Sequence, residues 1–231
     1  MKNKYFLLMA LLASLSFLSF TNSTKINEAK NPKSHSSSFG DTVIIEIPRT
    51  EKTKRPSGSY RLIKQKCSQL NLDSLELGYD SIQIRIWFAN STSEDIDDEK
   101  LLILKKRKSQ WSACFYKLRV EWDTNNGLIN TVMSSQEKIV TPKSSWDILE
   151  NKIFKLGLNK MPNMGDFVRH NRFEDVGEKV YYIEVATQKK YKCFSYWMID
   201  EYASKFQQVN NMKKILALLK IEFPDWRFLE N

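Results

Sequence analysis

A thiol or hydroxyl becomes a useful nucleophile only with a base in hydrogen-bond reach. Here the thiols are Cys67, Cys114 and Cys193 and the imidazoles His35 and His170. His35 falls in the polar, Ser-rich run 22–40, where no hydrophobic period would hold a base in fixed geometry. That leaves Cys67 or Cys193 with His170 as the one dyad a fold could assemble, a cryptic hydrolase centre. No glycine-rich loop or nucleophile-elbow spacing accompanies it, and Arg169 and Arg172 around His170 suit a surface position. There is no Cys-x-x-Cys, so a Cys/His zinc set is poorly supported. Glu94, Asp95, Asp97, Asp98 and Glu99 are hard oxygen donors, yet the alternating spacing and turn glycine of a calcium loop are missing. No metal and no cofactor is therefore expected. For the cysteines, one disulfide in any of three pairings with one thiol left over, or three free thiols, both stay open.

Binding chemistry is better represented. Trp87, Trp111, Tyr182, Tyr191 and Trp197 are predicted on outward strand faces, where planar rings stack on sugars or anchor a protein interface. The main reading is thus a non-enzymatic binding module for a partner protein or an envelope glycan. The competing reading is that helices cover these rings as a second core. A formal net charge of +9 favours anionic partners without specifying one. Basic runs at Arg49, Lys52, Lys54 and Arg55 and at Lys105 to Lys108 suggest a third reading, attachment to an anionic envelope surface; a solvated loop and a protected hairpin tip are the plainer accounts.

The elements that must position these residues follow from periodicity. Thr42 to Ile47 reads as an edge strand, and residues 60–78 as a short helix or irregular packing segment. In 81–88, Ile82, Ile84, Ile86 and Phe88 share one face, with Gln83, Arg85 and Trp87 on the other. Residues 101–107 and 110–122 form a hairpin closed by Lys108-Ser109, which sets Ile103 opposite Cys114 and Leu101 opposite Tyr116. Leu102, Leu104, Ala113 and Phe115 occupy the reverse face, so both sides need cover there. After a strand around Glu137 to Val140, Ser144-x-x-Asp147 has capping-box spacing for a helix carrying Trp146, Leu149, Ile153 and Leu156 and ended by Gly157.

A last hairpin, 180–186 with 190–198, sets Ile183 opposite Phe194 and Tyr181 opposite Tyr196, with Tyr182, Tyr191, Cys193 and Trp197 on the opposite face. Asp200 is the expected N-cap of one long helix that Pro224 stops after Phe223. This ending, with Tyr181-Tyr-Ile-Glu184, Tyr191 to Tyr196 and the long helix, is similar to that of many small exported bacterial proteins without established activity. The resemblance covers about 45 residues, implies an antiparallel sheet with helix cover, and carries no functional residue. The fold class is α+β: an antiparallel sheet built from hairpins with one or two covering helices, including a long C-terminal helix.

The N-terminal residues set the expected compartment. Lys2 and Lys4 precede an uncharged, mostly apolar run to Phe20, with small residues at Ser19, Thr21 and Ser23, the pattern of a cleaved signal peptide, with an uncleaved membrane anchor as the competing reading. The expected organisation is a signal peptide at 1–23, a disordered arm at 24–40 and a single α+β domain at 41–231. Such a chain is exported to the periplasm or beyond, keeps no integral membrane span after cleavage and meets no nucleic acid.

Overall fold

The computed structural model describes residues 42–50, 54–90, 96–123, 129–168 and 179–224. The expected signal peptide and arm, and His170, lie outside them. Seven strands form one sheet: β1 (Ile44–Glu46), β2 (Ile82–Asn90), β3 (Ile96–Arg107), β4 (Gln110–Asp123), β5 (Ile129–Val140), β6 (Lys179–Thr187) and β7 (Lys190–Trp197). Their order is β1-β7-β6-β2-β3-β4-β5, and every pairing is antiparallel except the parallel β1 with β7. Among the described residues four α-helices accompany the sheet: α1 (Gly58–Gln69), α2 (Trp146–Lys155), the single turn α3 (Ile199–Tyr202) and α4 (Gln207–Glu222). The fold is α+β, as the hairpin periodicity requires.

Both hairpin registers stand as the two-residue turns dictate. Leu101 pairs with Tyr116 and Ile103 with Cys114, while Tyr181 pairs with Tyr196 and Ile183 with Phe194. Alternation along these strands builds two cores. One face carries Ile84, Ile86, Phe88, Leu102, Leu104 and Phe115 under Leu149 and Ile153 of α2 and Val209, Met212, Ile215 and Leu219 of α4. The other carries Trp87, Leu101, Ile103, Leu118, Val120 and Tyr191 under Tyr60, Ile63 and Cys67 of α1. The sheet is therefore covered on both faces, and the face of Gln83, Arg85 and Trp87 is interior rather than outward.

Local signals place the helix ends. Ser145 Oγ accepts the Ile148 amide at 3.4 Å, so the cap of α2 sits one residue later than the Ser144 box. The Ser144 amide instead donates to Glu222 Oε2 at 2.7 Å, tying the start of α2 to the end of α4. Gly157, at φ +84°, closes α2 in the left-handed region that glycine occupies without strain. The long C-terminal helix is broken. Met198 at φ +45° precedes α3, Asp200 lies inside its first turn rather than at the cap, and a second helix restarts after Phe206. Phe206 packs its ring 5.3 Å from Phe167, which anchors the break. Phe223, the residue before Pro224, is extended and ends α4.

Candidate functional site

Two places concentrate polar chemistry: a closed network between the sheet and α1, and an open cleft beside β6, α3 and α4.

The network centres on Glu184 of β6, 0% exposed, which alternation points toward α1. Trp87 Nε1 donates to its Oε2 at 3.0 Å, Tyr191 OH to its Oε1 at 2.8 Å and Lys64 Nζ to Oε1 at 3.3 Å. Arg85, 1% exposed, stands 3.8 Å from Oε2 and donates to the Asp73 carbonyl at 2.7 Å. With its amide oxygen turned to the guanidinium, Gln83 accepts from Arg85 Nε at 3.0 Å. Lys64 continues outward to Glu76 at 2.8 Å, and Glu76 also accepts from Tyr60 and Ser74. Burial draws the Lys64 ammonium down, but Glu184 and Glu76 more than offset it, so its pKa is raised. Two carboxylates, one lysine and one arginine thus neutralise one another, with Glu184 and Arg85 fully buried and Lys64 and Glu76 at the solvent margin.

Cys67 and Cys193 border this carboxylate. Burial, then the Glu184 charge, pushes the Cys67 thiol up to about 12 and Cys193 well above its ordinary value. These surroundings hold both thiols in the protonated form at neutral pH. The histidine of the expected Cys/His dyad lies outside the described residues. All three cysteines are free.

The five aromatic candidates are not brought together on an open surface. Trp87, Tyr191 and Trp197 are buried and Tyr182 is half-buried. Trp197 belongs to the core under α2 and α4, beside Met164, whose Sδ accepts its amide at 3.5 Å, and so does not share the environment of Tyr191. Trp111 stacks on Trp146 with centroids 5.8 Å apart and donates to Glu150 at 2.9 Å, which fastens α2 to the β3–β4 hairpin. The rings lack an open platform because α1 and α2 occupy the space above them. The basic tip between β3 and β4 is likewise engaged: Lys106 binds Glu150 at 2.7 Å and Arg107 donates to Tyr79 at 3.0 Å.

The cleft was not legible in the sequence, because its walls come from three separated segments. Its volume is about 510 Å³, within the range of ligand sites. Among the described residues the walls are Tyr181, Met198, Ile199, Leu216 and Ala217, and the rim carries Lys179, Lys213, Lys220, Asp200 and Glu201. Lys213 binds Asp200 at 2.7 Å and holds that carboxyl below its usual value. Lys100 adds positive charge at the same end of the sheet, 5.7 Å over the Phe88 ring, which itself lies 5.2 Å from Tyr181.

Burial, then Lys117 and Lys179, draws the Lys100 ammonium down to about 8, with Asp98 acting the other way. Its ordinary value is 10.5, so between the two the folded protein binds fewer protons than the unfolded chain and stability rises with pH. Lys100→Met should therefore stabilise the protein most below pH 8, and its advantage should shrink through the window to 10.5. Urea midpoints measured in parallel across that window check this; a pH-independent difference would contradict it.

Among the described residues no group of three or more His, Cys, Asp or Glu is placed to hold a metal ion, and no helix is long and apolar enough to cross a membrane. No family model matches the chain, and no curated protein or solved structure is significantly similar to it.

Proposed function

We propose that this protein is an exported, non-enzymatic module that binds a partner protein in the cleft of β6, α3 and α4, through an acidic segment bearing apolar side chains. The observation that carries this reading is the composition of the cleft. An aliphatic floor of Met198, Ile199 and Leu216 sits inside a rim with three lysines and two carboxylates. Aliphatic side chains receive protein apolar groups, whereas sugar recognition favours open aromatic faces, and the candidate rings are engaged in packing. The charged rim steers an acidic segment and makes its capture depend on salt. Export rests on the charged and apolar N-terminal pattern.

The test uses a panel of synthetic peptides rich in Asp and Glu with one or two Leu or Phe, read by fluorescence anisotropy. Binding should fall as salt rises. Lys179→Glu with Lys220→Glu should weaken it at least about tenfold, since two attractive contacts become repulsive while the Lys213–Asp200 pair stays intact. If no acidic peptide binds better than its neutral counterpart, or if the double reversal changes nothing, the proposal fails.

A further inference from the structure

The two edges of the sheet are managed differently. β1 is three residues long and runs into Pro48, a short edge that offers little to pair with. β5, at the other edge, is 12 residues long and contains no proline. One end of it is closed: the Val132 amide donates to Gln69 Oε1 at 2.7 Å, and a register shift opposite Arg119 and Val120 leaves Met133 without a β4 partner. At the other end Pro142 has no amide hydrogen. Between these stops lie the seven residues 133–139, which carry two exposed large apolar side chains, Met133 at 56% and Ile139 at 80%.

We propose that β5 pairs antiparallel with β5 of a second copy of this chain, about a two-fold axis through Gln136. Directly opposed residues of an antiparallel pair share a face, so a symmetric pair needs its axis perpendicular to the sheet. Opposed residues then lie equal distances either side of the central one. Centred on Gln136, Met133 falls opposite Ile139 of the second copy, Ser134 opposite Lys138 and Ser135 opposite Glu137, while Gln136 meets its own counterpart. The two exposed apolar side chains cover each other twice, and no like charges are opposed. A centre at Glu137 or Lys138 sets like charges face to face, and one at Ser135 sets Met133 against Glu137. The strand is self-complementary in one register, which is why a second copy rather than an unrelated peptide is the occupant.

The test is the oligomeric state of the protein recovered from expressing cells, followed by sedimentation velocity over a range of concentrations. The wild type should show a concentration-dependent dimer. Met133→Glu with Ile139→Glu opposes two carboxylates at both symmetric contacts and should weaken the dimer at least about tenfold, with an unchanged circular dichroism spectrum. Met133→Glu with Ile139→Lys turns both contacts into opposite-charge pairs and should restore association in a salt-sensitive form. A wild type that stays monomeric at every concentration overturns the proposal. So does a Glu/Glu variant that dimerises like wild type, or a Glu/Lys variant no better than Glu/Glu, since each removes this register.

Discussion

Glu184→Ala should cost this protein a large part of its stability. The carboxylate accepts from Trp87, Tyr191 and Lys64 and compensates Arg85, all on residues of the covered face. Without it, a guanidinium 1% exposed and two polar hydrogens are left in a space that excludes water. Breaking a buried pair from one side costs about 3–5 kcal/mol, against a total stability of about 5–15 kcal/mol for a typical domain. The unfolding midpoint should drop by roughly 6–20 °C for a body of this size. Glu184→Gln separates volume from charge: it keeps one acceptor oxygen and fills the site, so any remaining loss reports the uncompensated cations. A Glu184→Ala protein whose midpoint stays within about 2 °C of wild type would show that the network does not hold the α1 face together.

The second large effect is expected at Lys66 and Glu99, where burying an ion pair makes the single and double replacements behave differently. Lys66 Nζ contacts both Glu99 oxygens, at 2.5 and 2.6 Å, and both side chains are buried between α1 and β3. Lys66→Met alone leaves Glu99 charged in an apolar setting and should cost about 3–5 kcal/mol. Glu99→Leu alone removes the carboxylate whose two oxygens the Lys66 ammonium contacts and should also destabilise the protein. The double replacement removes both desolvated charges and should recover most of that loss, giving a coupling energy well above the roughly 0.5 kcal/mol of independent sites. Urea unfolding of the four proteins measures it. Additive single effects would show that each group is stabilised by something other than its partner.

These two networks mark where reading the chain as strands and stripes runs out. The strand face of Gln83, Arg85 and Trp87 is polar by type, and polarity alone assigns such a face to solvent. Burial is tolerated because Glu184 and the Asp73 carbonyl supply partners from elsewhere in the chain. The helix that does the burying was hard to see for the same reason: its inward stripe is Tyr60, Ile63, Lys66 and Cys67, in which a lysine interrupts the apolar period. Alternation places the aromatic residues on strands but leaves their depth open, since depth depends on what packs above the sheet. Residue type points to Asp200 as a cap, yet the left-handed turn at Met198 sets the helix start two residues earlier in the chain.

What the amino-acid order determined by itself is what neighbours in sequence decide. Period-two alternation with two-residue turns set the registers of both long hairpins, Gly157 and Pro224 set helix ends, and the doubly apolar β3–β4 pair required cover on both faces. Tertiary structure alone decided the parallel docking of β1 on β7, the burial of Glu184 among its four partners, and the cleft that Lys179, Met198 and Leu216 share. The physical reason is range. Backbone geometry and turn chemistry act over a few residues, whereas the solvation of a charge or the opening of a cleft depends on groups that folding brings from far along the chain.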